Sequence, residues 1–130
     1  MKEWGCLRYS ANTAFLALWH ADQIRDVKDR YLNLGISQSN YILGDNPVGR
    51  SYEVGFGEDS PENPHHRAAH GSTTNNICNP AETQHILYGA LVRGPAYPDD
   101  VSYEARRDDF RANEVALDYN AGYTAALSIL

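Results

Sequence analysis

Hydrophobic positions recur at helical spacing in four stretches of the chain, and no stretch shows the convincing alternation of a half-buried strand. Trp4, Leu7, Ala11, Ala14, Phe15 and Leu18 lie three and four residues apart, on one face of a first helix. Ile24, Val27, Tyr31, Leu34 and Tyr41 carry similar spacing into a second. Gly44 directly after Leu43 stops it, with Pro47 just beyond. A third, short helix is expected over Ile86, Leu87, Ala90 and Leu91, closed by Gly94-Pro95. The cleanest stripe is the fourth: Val115, Tyr119, Gly122, Tyr123, Ala126, Leu127 and Leu130. The pattern is that of an all-α chain forming one compact domain.

The segment from Gly44 to Pro80 breaks this pattern, being rich in proline and glycine and holding His65, His66 and His70. Long structureless stretches inside compact domains are uncommon, and are usually either functional or disordered. Tyr52, Val54, Phe56 and the His/Arg cluster are poor linker composition, so the segment is expected to be ordered.

Charge narrows the partners. Eleven basic and seventeen acidic residues leave a formal net charge of −6. Nucleic acids and anionic membranes both call for a basic surface and are excluded on that ground; a neutral polysaccharide is compatible. The apolar runs are too short to span a bilayer. Residues 1 to 20 carry polar side chains throughout, so no signal peptide is expected there, and Met1 opens directly on mid-domain-like sequence, as a gene-model start would. Cys6 and Cys78 are far apart, lack metal-type spacing and read as free or partly buried thiols. Several of the nine tyrosines adjoin polar residues, as in Arg8-Tyr9, Asn40-Tyr41 and Asp118-Tyr119. That suits a groove stacking sugar rings and also ordinary half-buried packing; composition alone favours packing.

Two clusters carry candidate chemistry. In PHHRAAH, His66 and His70 have the i, i+4 spacing of a helical zinc pair. Arg67 stands between them instead of a glutamate, and a cation beside a site opposes metal binding. With only Cys78 and His85 as further ligands, no metal site is assigned. In DDFRANEVALDYNAG, Glu114 falls near the start of the fourth helix, with Asp109 or Asn113 as possible cap and Asp118 and Tyr119 one turn on. Such a carboxylate is ordinarily a dipole partner. Glycosidic hydrolysis needs two acids, and spacing alone does not make Glu114 one of them.

The motifs WGCLRYSANTAF, SQSNYILGDNP, SYEVGFGEDSPENPHHRAAHGS, HILYGALVRGP and SYEARRDDFRANEVALDYNAGYTAAL, in that order, resemble glycoside hydrolase family 9, the endo-β-1,4-glucanases, from end to end. The resemblance implies part of an (α/α)6 barrel with a long active-site loop, residues 1–130 being a C-terminal portion of the catalytic domain without its N-terminal part. It implies inverting hydrolysis of internal β-1,4-glucosidic bonds in cellulose and related β-glucans. Glu114 matches the family's general acid. His65, counted with the catalytic set, and Arg67 match the H-x-R pair that binds sugar hydroxyls near the scissile bond. Trp4, Arg8 and Tyr9 match the stretch lining glucosyl subsites, and Tyr119 the tyrosine facing the cleft beside the acid. No cofactor is implied; calcium occurs in some relatives, but no ligand set is assignable here. The implied partners are a β-1,4-glucan polysaccharide or cello-oligosaccharide and the missing N-terminal half of the barrel, and the implied location is extracellular.

The chain departs from the family pattern at several points. The family's base, an Asp in a D-A-G-D motif, does not occur in it. Ala105 stands where the family has Asp, nine residues before the acid; Glu104 or Asp108 are the nearby carboxylates, neither in register. Glu53 replaces an apolar residue, Asp59 an Asn, Lys or Arg, and Thr73 a tryptophan. These departures support a second expectation, a non-catalytic glucan-binding or interaction fragment. Helix faces covered in a full barrel would be exposed, so poor folding of the isolated chain is also expected.

Overall fold

The computed structural model describes residues 4–24, 26, 28–96 and 98–130. Five helices follow in order: α1 Leu7–Gln23, α2 Lys28–Leu43, α3 Arg67–His70, α4 Phe110–Asn113 and α5 Leu117–Ile129. Among the described residues, no helix is long and apolar enough to cross a membrane.

α1 is the hub, packing on both α2 and α5. Its buried face is Leu7, Ala11, Ala14, Ala17, Leu18 and Ala21. Alanines at most of these positions let neighbouring helices approach closely, and small residues on those neighbours complete the fit. On α2, a Cβ added to Gly35 would lie 2.4 Å from Leu18 Cγ. The expected α2 stripe is therefore corrected: Gly35, Ser39 and Ile42 are buried, whereas Leu34 and the inter-helix Ile24 are exposed. Small residues carry the α1–α2 contact, and a hydrophobicity pattern is blind to them. Val27 lies outside the described residues.

α2 stops at Leu43 as expected, with Gly44 at a φ of 128°. Asn46 then folds the chain back. Its Nδ2 donates to the Tyr41 and Arg50 carbonyls, each at 2.7 Å, and its Oδ1 accepts from Val48 N at 3.2 Å. The long segment is ordered by such local closures and by burying Tyr52 and Val54 in the main core. Two of its unusual acids have partners. The Tyr123 hydroxyl donates to Glu53 Oε2. Asp59 pairs with Arg50, which holds its carboxyl below the usual carboxylate range. Both cysteines are free.

The third expected helix is absent. Gly89, at a φ of 79°, turns the chain, and Ala90, Leu91 and Val92 run extended and buried. Their hydrogen bonds go outward: Val54 N to Ala90 O at 2.9 Å, Val92 N to Tyr52 O at 3.2 Å, and Leu91 N to Asn120 Oδ1 at 3.0 Å. Three consecutive buried apolar residues suit an extended segment covered on both faces, which a short periodicity count cannot tell from a helix.

The fourth helix also starts later than expected. Asp109 caps the separate α4 by accepting from Arg111 N at 3.1 Å and Ala112 N at 3.4 Å. Asn113 ends α4, and Glu114 and Val115 are extended before α5 begins at Leu117. Tyr119, Gly122, Tyr123 and Ala126 are buried as the stripe expects; Leu130 is exposed.

His70 is fully buried, and neither ring nitrogen has a protein partner. A cavity of about 40 Å³ beside it, lined by Arg67, Ser72, Thr74, Asn75 and Ile77, has room for a water molecule. Burial lowers the imidazole's pKa from 6.5, and Arg107 and Arg67 lower it further.

Two stability predictions result. Gly35→Val drives a side chain into Leu18 and is expected to cost about 1–3 kcal/mol, read as a lower unfolding midpoint. The unfolded chain protonates His70 below 6.5 while the folded chain resists it, so stability falls as pH drops through that value. His70→Leu should flatten this part of the stability–pH profile in thermal melts between about pH 8 and pH 5.

Candidate active site

The site is built on extended segments between the helices. Isolated β-bridges set them side by side: Glu53 pairs antiparallel with Leu91, Val92 antiparallel with Val115, and His65 parallel with Glu114. Arg93 N donates to Glu114 O at 3.0 Å, and His65 N to Asn113 O at 2.7 Å. Glu114 is thus fixed by backbone bonds from both sides. The start of α1 is tied to the same framework, with Leu7 N donating to Arg93 O at 3.0 Å and Gly5 N to Arg111 O at 3.2 Å. A Cβ at Gly5 would lie 2.6 Å from the Arg93 and Gly94 carbonyl oxygens, so only glycine permits this approach. It brings Trp4, Arg8 and Tyr9 to Glu114.

The Glu114 side chain is about one-third exposed. Its Oε2 accepts from the Tyr119 hydroxyl at 2.7 Å and forms an ion pair with Arg93 Nη2. Tyr119 is buried, and burial raises its phenol pKa; the hydrogen bond to Glu114 adds to this, while Arg93 opposes it. The phenol therefore remains a donor to the carboxylate. Arg93 Nε donates in turn to the Tyr119 oxygen, and the Arg93 guanidinium lies 4.9 Å over the Trp4 ring.

Arg8 extends the cluster. It donates to the Tyr9 hydroxyl at 2.8 Å, approaches Asp118 at 3.6 Å and lies 5.7 Å over the Tyr119 ring. Trp4, Gly5, Arg8, Tyr9 and Arg93 line a cleft of about 230 Å³. Trp4 also packs on Phe110 at 5.4 Å. Such a cleft presents aromatic faces and guanidinium donors beside a carboxyl group, which suits a ligand with apolar faces and hydroxyl edges.

His65 stands beside Glu114 through the backbone bridge. Its Nδ1 lies 2.6 Å from Arg107 O. A carbonyl only accepts, so Nδ1 carries the proton and Nε2 is free to accept in the neutral ring. The structure thus gathers Glu114, His65, Trp4, Arg8, Tyr9 and Tyr119. Arg67 is placed differently: it is exposed on α3, its guanidinium donates to the Thr74 carbonyl, and it makes no hydrogen bond or ion pair with the Glu114 group among the described residues.

Arg93 is the site residue that sequence reasoning missed. It sat inside the expected third helix's closing run, and only the extended path of 90–93 brings it to Glu114. Arg107 was missed as well. It is buried, and donates to Pro80 O and Asn63 Oδ1 at 2.8 Å and to Thr83 Oγ1 at 2.9 Å. It thereby fixes the long loop while its carbonyl orients His65. Ala105 packs half-buried against the main core. Glu104 and Asp108 pair with exposed Arg106, so neither is available to stand in for a carboxylate at 105.

Residues 1–127 match the sequence model of glycosyl hydrolase family 9. Endoglucanase B of Cellulomonas fimi is 54% identical over 132 residues, spanning 100% of this chain and 12% of its own length. Endoglucanase A of Bacillus pumilus is 51% identical over 134 residues, spanning 98% of this chain and 19% of its own length. Among solved structures, endoglucanase CelQ of Clostridium thermocellum complexed with cellobiose and cellotriose superposes with a TM-score of 0.90 at 50% identity, covering 97% of this chain and 21% of that one. The chain therefore spans about a fifth or less of these relatives. The likeness identifies the helices as part of an (α/α)6 barrel. On the matched family model and these identities, the chain belongs to glycosyl hydrolase family 9.

Proposed function

We propose that this chain carries the acid side of an endo-β-1,4-glucanase active site. The reaction is hydrolysis of internal β-1,4-glucosidic bonds in cellulose and related β-glucans with inversion. Glu114 protonates the leaving glucosyl oxygen while water attacks the opposite face, activated by an Asp from outside this chain. The observation that carries this reading is the Glu114 carboxyl, fixed through its backbone on two sides, oriented by Tyr119 and opening beside a cleft lined by Trp4, Arg8 and Tyr9.

The chemistry follows from the contacts. Tyr119 donates to Oε2, which leaves Oε1 as the oxygen to carry and deliver a proton. Aromatic faces grip the apolar faces of glucosyl rings, while Arg8 and His65 Nε2 serve the hydroxyls. Arg67 reaches substrate only if its bond to Thr74 opens. That relatives are named endoglucanases, and that one binds cellobiose and cellotriose in its crystal, supports this substrate class. No cofactor is required.

The companion is the rest of the barrel. Leu16, Trp19 and Leu34 are exposed around an α1–α2 groove of about 360 Å³, a face that further helices would cover. Extracellular location remains part of this proposal through the nature of a polymeric substrate. A second reading, glucan binding without turnover, is favoured by Ala105.

Two outcomes test the assignment in the chain assembled with its companion segment. Glu114→Gln should lower release of reducing ends from β-1,4-glucan by about 10²–10⁴-fold, the usual worth of one acid–base group, with cello-oligosaccharide affinity nearly unchanged; equal turnover refutes the acid role. Tyr119→Phe removes a charge-assisted hydrogen bond and should lower kcat about tenfold, with a small effect on KM.

A further inference from the structure

Arg93 joins three residues of the site, Glu114, Tyr119 and Trp4. Its side chain is mostly buried, at 14% exposure. It pairs with Glu114, donates to Tyr119 and covers the Trp4 ring. Two of these contacts conflict with the work proposed for their partners. A carboxyl that is to donate a proton must first be protonated, and a protonated carboxyl forms no ion pair. A tryptophan face occupied by a guanidinium cannot receive a sugar ring. Arg111 also lies 5.6 Å over the Trp4 ring, and Phe110 packs beside it.

Backbone geometry makes this placement specific. Arg93 N is bonded to Glu114 O, its carbonyl takes Leu7 N, and Gly94 follows at a φ of 77°. A Cβ at Gly94 would lie 2.2 Å from Leu7 Cδ1, so the chain is fixed on both sides of Arg93. The side chain is thereby delivered from a rigid segment to the wall of the cleft, beside Trp4. The contacts that hold it are an ion pair with a carboxylate about one-third exposed, a hydrogen bond to the Tyr119 hydroxyl and a stack on a tryptophan 43% exposed. The carboxylate and the indole are both open to solvent, so a ligand can compete with the guanidinium for each.

We propose that Arg93 is a substrate-displaced latch: its guanidinium closes the cleft over Trp4 and Glu114, and an entering β-1,4-glucan strand must displace it before Glu114 can take up and deliver a proton. This rests on the glucanase reading above and adds to it. A glucosyl ring replaces the guanidinium on Trp4, the ion pair to Glu114 opens, and Tyr119 alone then orients the carboxyl. Empty and filled states of the cleft thus differ in the partner of Glu114, so the acid is disengaged until substrate is seated.

The test is calorimetric titration with cellotetraose of the chain assembled with its companion segment, comparing wild type, Arg93→Ala and Arg93→Lys. Removing the competitor should tighten cellotetraose binding about threefold to tenfold in Arg93→Ala, the range set by one stacked cation and one part-exposed ion pair. Arg93→Lys keeps the charge but not the planar stack, and should bind with intermediate affinity. It also carries the test if the alanine variant unfolds by circular dichroism. If the wild type binds and both variants bind equally or more weakly, Arg93 is a substrate donor and the latch is overturned while the glucan reading stands. Absence of binding in all three proteins overturns the glucan reading and the latch with it.

Discussion

The row of isolated backbone bridges around Glu114 is the constraint on which the rest of the site depends. Glu114 belongs to neither α4 nor α5 but to the extended link, Glu114 to Ala116, between them. One flank is bonded to Arg93 and the other to the His65 segment. Helix ends alone would leave that link free to swing. The bridges tie it to the long loop on one side and to the buried Ala90–Val92 segment on the other. Because Leu7 N bonds the Arg93 carbonyl, they also register α1 against the acid, which is how Trp4, Arg8 and Tyr9 arrive at one cleft.

This arrangement explains why so much of the chain is irregular without being loose. The loop from Gly44 onward contributes core residues at Tyr52 and Val54 and the His65 bridge. Its polar groups are satisfied locally by Asn46 and at long range by buried Arg107. Arg107 holds Asn63, Pro80 and Thr83 while its carbonyl fixes the tautomer of His65. The tyrosines serve in the same way. Tyr103 donates to Asn113 at 2.6 Å and Tyr123 to Glu53, so both rings are core and both hydroxyls are anchors. For these two the packing alternative holds, and Tyr119 is core as well, with its hydroxyl on Glu114; Tyr9 instead lines the cleft.

The departures from the family pattern take on distinct physical meanings. Glu53 and Asp59 are accommodated, each having found a partner in Tyr123 or Arg50. Ala105 packs half-buried against the main core, and its neighbours Glu104 and Asp108 pair with exposed Arg106. Thr73 is exposed, and nothing in the structure explains it.

The sequence by itself determined the helices long enough to show a repeating buried face. α1 and α5 were legible because their apolar positions recur over several turns, and the end of α2 because glycine follows it. It also determined the family, through motifs in order. What only the tertiary structure decided was every feature made by groups distant in the chain. The Ala90–Val92 segment is extended because its hydrogen-bond partners lie at Tyr52, Val54 and Asn120, which no local pattern reveals. The face of α2 is set by Gly35 fitting Leu18, a matter of space and not of hydrophobicity. Glu114 lies before a helix and not on one, because bridges to Arg93 and His65 outcompete the next turn of α5. Arg93 reaches the acid for the same reason: burial and backbone pairing, summed over residues far apart in sequence, decide where a short segment goes.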